Sequence, residues 1–269
     1  GGYMELIKQA ERSISKTYRK TIWKPFIGAI QRYNLIEEGD SIAVCLSGGK
    51  DSLLLACALR MLMRYSDFPF SLSYIFMNPG YDDEYLTACE YNMKKLAITP
   101  HMFNTDILRI AENNPSPCHV CSSMRRGYLY KEAQKLGCNK IALGHHLDDV
   151  CETVLLSILY SGEFRTMMPK LNSINYEGMQ LIRPLYLVRE RSIVNWLNKL
   201  CIASISCACS FTKKDDGGKR QEIKKLLANL EKQNPNIINN ILSSTQNVNL
   251  QTILSYKNGA DFSAESYLD

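Results

Sequence analysis

Apolar positions recur every four residues from Ile14 through Tyr18, Ile22 and Phe26 to Ile30, which predicts one helical face over 5–33, interrupted at Pro25. The opposite face of that segment is basic. Beyond it the apolar period changes. Short apolar runs at 41–46, 72–77, 100–103, 140–143 and 180–182 read as strands, and longer amphipathic stretches at 52–64, 83–96, 122–136 and 148–161 read as the helices between them. Such alternation predicts an α/β fold, a doubly wound parallel sheet covered on both faces. Helices over 189–199, 219–233 and 235–244 follow. The expected organisation is a basic helical segment (4–34), a central α/β unit (35–200), a C-terminal helical segment (201–256) and a polar tail (257–269) that is partly disordered. Gly1-Gly2-Tyr3 before Met4 reads as an expression-tag remnant, with Met4 as the natural start.

Composition narrows the class. In 269 residues, 45% hydrophobic and 22% charged content is that of a globular protein and excludes wholesale disorder. No apolar run reaches membrane-spanning length and no signal sequence opens the chain, so a cytoplasmic protein without a membrane partner is expected.

The stretch with most chemistry is SGGKDS at 47–52, between the first strand and the first helix of the central unit. Gly48 and Gly49 let the backbone turn tightly and bring N–H groups onto an anion at a helix N-terminus. Lys50 adds a mobile cation, Ser47 and Ser52 add hydroxyls, and Asp51 can position a metal. The GxxxxGK[ST] spacing of a Walker loop is absent, which argues against ordinary γ-phosphoryl transfer. The pattern resembles the PP-loop of ATP pyrophosphatases, which split ATP between its α and β phosphates. A second cluster, Gly144-His145-His146-Leu147-Asp148-Asp149, follows the fourth strand and belongs at the same carboxyl edge of the sheet. Gly144 and His145 are expected beside the nucleotide. Asp148 and Asp149 are candidates for holding Mg²⁺ or orienting the reacting group, against the plainer reading of a helix N-cap.

Ten cysteines in a chain of this length and hydrophobic content do not read as a disulfide framework. Cys45, Cys57, Cys89, Cys138, Cys151 and Cys201 are expected as small core hydrophobes. Four remain: Cys118 and Cys121 form CxxC, and Cys207 and Cys209 form CxC far along the chain.

SGGKDS, CHVCSSMRRGYLY at 118–130, IALGHHLDD at 141–149, MMPKL at 167–171, IRPL at 182–185 and Cys207 together resemble the family of tRNA 2-thiocytidine biosynthesis proteins, TtcA, from about residue 33 to 248. The resemblance implies a PP-loop fold, a [4Fe-4S] cluster on Cys118, Cys121 and Cys207, ATP and Mg²⁺ at Ser47, Gly48, Gly49, Lys50, Asp51 and Ser52, and replacement of the C2 oxygen of cytidine 32 in the tRNA anticodon loop by sulfur. Three thiolates leave one iron without a protein ligand, where sulfur can bind. Sulfur would come from sulfide or a cysteine desulfurase, and a homodimer is allowed. Arg125, four residues beyond Cys121, is a candidate for contacting phosphate or the activated base, whereas Arg126 is expected to point elsewhere, towards RNA. The chain departs from the family where Cys207-Ala208-Cys209 replaces a CxxC, so Cys209 stays open as an alternative third ligand.

A net charge of +5 is mild for an RNA enzyme, so its placement matters more. Arg12, Lys16, Arg19, Lys20 and Lys24 form one basic segment and Lys213, Lys214, Lys219, Arg220, Lys224 and Lys225 another; both suit a phosphate backbone, as would a solvated helix. Two other readings stay open: a PP-loop enzyme of different adenylation chemistry with zinc at the cysteines, and a non-catalytic zinc-stabilised tRNA-binding protein.

Overall fold

The computed structural model describes residues 2–205, 217–259 and 262–265. Cys207, Cys209, Lys213 and Lys214 lie outside them, and Cys118 is described by its backbone only. Strand β1 (Ser41–Leu46) runs through the middle of a six-stranded sheet, with β2 (Ser71–Asn78) and β3 (His101–Asn104) on one side and β4 (Lys140–Ala142), β6 (Gln180–Ile182) and β5 (Lys170–Asn172) on the other. All pair in parallel except β5, which is antiparallel to β6.

The alternation within β1 explains the two layers. Ile42, Val44 and Leu46 belong to the larger core, under α3 (Lys50–Tyr65), α4 (Asp83–Lys95), α7 (Leu147–Ser161) and α8 (Glu190–Lys199). Ala43 and Cys45 face the other core, under α5 (Ile107–Glu112) and α6 (Pro117–Lys135). With both faces covered, β1 must be apolar throughout, and five of its six residues are buried. One ion pair is admitted at its foot, where Lys140 Nζ lies 2.6 Å from Asp40 and donates to the Leu35 carbonyl at 2.9 Å, so both buried ions are paired.

The chain winds outward from β1 to β3 and then returns to β4 on the far side of β1. This reversal opens a crevice at the carboxyl ends of β1 and β4, the position at which open α/β sheets bind ligands.

Several expectations need correction. Helix α1 (Gly2–Ser15) ends well before Pro25; the break is a turn at 16–18 and a wide π-turn at Arg19–Trp23. Pro25 sits in the first turn of α2 (Lys24–Arg32), where its missing N–H costs no helical bond. After α9 (Gly217–Gln233) and α10 (Ile237–Ser244), β7 (Ser255–Asn258) pairs antiparallel with β8 (Phe262–Glu265), a hairpin the sequence does not mark. Cys201 is exposed and takes a positive φ of 53° just past α8, so it is not a core residue; Cys45, Cys57, Cys89, Cys138 and Cys151 are buried as expected. Among the described residues, no helix is long and apolar enough to cross a membrane.

Candidate active site

The 47–52 segment is a turn closed on itself. Ser52 Oγ donates to the Gly49 carbonyl at 3.1 Å and accepts from the Ser47 amide at 3.1 Å, and Tyr85 Oη donates to the Ser47 carbonyl at 3.2 Å. Gly48 has φ +80°, and a Cβ there would lie 2.2 Å from Cys89 Sγ, so α4 packs directly on the turn and only glycine fits. Gly144 plays the matching role across the crevice: its α-carbon approaches the first turn of α3 so closely that a Cβ would stand 3.2 Å from the Asp51 backbone.

Helix α7 begins with a reciprocal cap. The His146 ring Nδ1 accepts from the Asp149 amide at 3.3 Å, and Asp149 Oδ2 accepts from the His146 amide at 3.0 Å. The other ring nitrogen, Nε2, faces two carboxylates, Asp149 at 3.4 Å and Asp51 at 3.9 Å. Asp51 Oδ1 is buried and accepts no hydrogen bond of good geometry, although the Lys50 ammonium stands 3.3 Å away. Burial raises the Asp51 pKa, with His146 and Lys50 opposing the rise and Asp149 adding to it. Two carboxylates on neighbouring helix starts, one with an unsatisfied oxygen, fit a hard cation such as Mg²⁺.

Above these groups is a cavity of about 690 Å³. Ser47, Asp51 and Ser52 line one wall, Gly144, His145 and Asp149 a second, and Cys121, Arg125 and Arg126 of α6 a third. Cys121 is buried and accepts from Arg125 Nε at 3.3 Å, while Arg125 Nη2 donates to the Tyr81 hydroxyl at 3.0 Å. Cys118 lies one helical turn earlier, in the first turn of α6.

Ser47, Asp51, Ser52, Cys121, Arg125, Gly144, His145 and Asp149 thus meet around one cavity, backed by Gly48 and Gly49. Lys50 and Asp148 do not line it. Lys50 turns towards Glu190 at 3.2 Å. Asp148 binds Arg189 at 3.1 Å and the Glu190 amide at 2.7 Å, on the side of α7 away from the cavity.

Sequence reasoning missed three cationic walls. Arg126 lines the cavity beside Arg125 instead of pointing elsewhere. Arg183, inside the IRPL motif, is buried; it donates through Nε to His145 Nδ1 at 3.1 Å and through Nη1 to the Met168 carbonyl. Burial, with repulsion from Arg126, lowers its pKa to about 10. Burial and Arg183 push His145 down to about 4, which keeps it neutral, with its proton on Nε2. Arg220 of α9 reaches across to Asp149 and Glu152, 3.6 Å from each. The signals were there, an arginine within a quoted motif and another within a basic segment, but nothing in the sequence aimed them.

A glycine turn without a Walker loop, set at the switch point of a parallel sheet beside an acidic helix start, defines an adenine-nucleotide-binding protein of the PP-loop type, and residues 10–206 match the PP-loop domain model. The chain is 36% identical over 244 residues to the tRNA-cytidine(32) 2-sulfurtransferase of Geobacter metallireducens, covering 89% of this chain and 93% of that protein. It is likewise 36% identical over 251 residues to that of Aliivibrio fischeri, covering 91% and 80%. The chain belongs to the tRNA-cytidine(32) 2-sulfurtransferase family of PP-loop proteins. Its fold is shared with the U34-tRNA thiolase NcsA of Methanococcus maripaludis, solved with its [4Fe-4S] cluster, at a TM-score of 0.65 and 21% identity over 91% of this chain and 78% of that one.

Proposed function

We propose that this protein is a cytoplasmic ATP-dependent tRNA thiolase that activates C2 of cytidine 32 in an anticodon loop and replaces its oxygen with sulfur drawn from sulfide or a cysteine desulfurase. One observation carries the reading: the Cys121 thiol and the Asp51–Asp149 carboxylate pair face each other across a single cavity floored by the 47–52 turn. The glycine amides, with Lys50 after a side-chain rotation, receive the β and γ phosphates at the N-terminus of α3. Asp51 and Asp149 would hold Mg²⁺. The C2 carbonyl oxygen attacks the α-phosphorus and pyrophosphate leaves; the adenylated base stands under Arg125, whose guanidinium balances its phosphate charge, and sulfide-level sulfur then attacks C2 and expels AMP with the original oxygen.

The donor set suits an iron–sulfur cluster: Cys121 presents a guanidinium-supported sulfur to the cavity, and Cys118 and Cys207 would complete three ligands. When bound, a cluster with three protein thiolates supplies an iron free to carry the incoming sulfur. Neutral His145, held by Arg183, donates a hydrogen bond from its Nε2–H to an oxygen of the bound substrate without adding a charge.

Two measurements on anaerobically purified protein test this. Lys50→Ala and Asp51→Ala should lose tRNA-dependent AMP formation while retaining iron; full AMP formation by either removes the turn from the chemistry. Cys118→Ala, Cys121→Ala and Cys207→Ala should each lose iron and thiolation, and Cys209→Ala should keep both. Loss of iron in Cys209→Ala with retention in Cys207→Ala moves the third ligand by two residues.

A further inference from the structure

Lys50, the cation of the turn, is already engaged. Its ammonium stands 3.2 Å from Glu190 Oε1 and outside the cavity lining. Glu190 is the first residue of α8, fixed there because its amide donates to Asp148 at 2.7 Å. Its second oxygen lies 2.7 Å from Lys224 of α9. Burial alone would raise the Glu190 pKa, but the Lys224 hydrogen bond and the Lys50 charge hold it down to about 2, so the carboxylate is ionised.

The geometry points to Glu190 as an exchangeable counter-ion: it holds Lys50 while the turn is empty, and Lys50 leaves it for the phosphates of the nucleotide. This rests on the reading of 47–52 as the ATP turn. The arrangement makes the exchange easy in both directions. A half-buried carboxylate stripped of its sole partner would resist release, because an unpaired buried charge is costly. Glu190 keeps Lys224 when Lys50 departs, and Lys50 leaves for an anion of higher charge. When pyrophosphate must dissociate, Glu190 is there to take the ammonium back.

ATP·Mg²⁺ binding by calorimetry without tRNA tests the exchange. Glu190→Gln, which keeps the shape and amide contacts, should bind ATP about three- to tenfold more tightly than the parent, and Glu190→Asp, a shorter carboxylate, should change in the same direction. In a Lys50→Met background Glu190→Gln should change the dissociation constant less than about twofold, since the ammonium it competes for is gone. In turnover, Glu190→Gln should lower KM for ATP and kcat together, with stronger inhibition by added pyrophosphate. Equal tightening in both backgrounds would mean that Glu190 merely repels anions, and unchanged or weaker binding in the Lys50-containing protein would mean that it only positions Lys50; either overturns the proposal. Absence of ATP binding by the unsubstituted protein would instead remove the ATP turn itself, and this inference with it.

Discussion

At the scale of single residues the site is governed by contacts that allow no slack. Gly48 combines a positive φ with Cys89 Sγ standing where a Cβ would go, so Gly48→Ala meets both backbone strain and a clash. The strain alone is worth about 1–2 kcal/mol, and the clash adds to it. Urea unfolding should show a loss of more than about 2 kcal/mol, and Cys89→Ala should recover the clash component but not the dihedral one. Glu152 gives a test with a definite sign. Buried one turn beyond Asp149, it has its pKa raised to about 7, first by burial and then by the Asp149 charge. A carboxyl whose folded pKa lies above its ordinary 4.5 contributes stability that is complete below that value and is lost as pH rises through 7. Glu152→Gln cannot ionise, so its stability relative to the parent should climb by about 2–3 kcal/mol between pH 4.5 and pH 8 in paired denaturation curves. A constant difference across that range would show that Glu152 is not protonated in the native state. The residue types of the site were legible because SGGKDS and the acidic helix start carry their chemistry in their order. Their aim was not. Asp148 and Asp149 are neighbours on one helix, about 100° apart, and only packing decides which of them faces the cavity.

Among elements, the strands of the central sheet were readable to within a residue or two because both faces are buried and the apolar runs are continuous. The missed ones are short. Strand β5 offers Lys-Leu-Asn to an edge and β7 is wholly exposed, so no hydrophobic pattern marks them, and α5 is six residues long, too short to show a helical period. The break at 16–23 was misplaced because proline is a visible breaker, whereas a π-turn is made from ordinary helix formers. Helix α9 was expected from its pattern, but its anchorage came only with the structure. Arg189 binds Asp148 at 3.1 Å and Glu231 at 2.6 Å, tying the start of α7 to the last turns of α9. Because α9 delivers Arg220 to the cavity and Lys224 to Glu190, this three-residue chain positions cationic groups it never touches. Asp148→Ala should therefore cost about 1.5–3 kcal/mol, the range of a charged hydrogen bond lost from a partly buried site. It should also speed amide hydrogen exchange along 220–232 while leaving α3 protected. Equal protection of α9 in both proteins would place its anchorage elsewhere, in Ile223 and Leu227, which are buried against the larger core.

For the whole molecule, the nucleotide side and the macromolecular side draw on different charges. Inside the crevice, Arg125, Arg126, Arg183 and Arg220 surround a cavity that also holds two carboxylates, a balance suited to a bound phosphate and metal rather than to long-range attraction. Attraction must come from the surface, and there the mild net charge of +5 is unevenly placed. Arg12, Lys16, Arg19, Lys20 and Lys24 are all exposed, and none of them makes an ion pair with an acidic side chain among the described residues. The turn at 16–18 and the π-turn after it carry Lys16, Arg19 and Lys20 together past the end of α1. A solvated amphipathic helix would show the same exposure, so exposure alone does not assign these groups, whereas the salt dependence of binding does. A side chain that neutralises a phosphate releases a counterion, about 0.7 to 0.9 of one for each contact. If this arm grips tRNA, changing Lys16, Arg19 and Lys20 together to Gln should lower the slope of log K against log salt by about 2. It should weaken binding most at low salt and leave ATP affinity where it was, because the arm does not line the cavity. An unchanged slope with unchanged affinity would mean that the charges only solvate the helix.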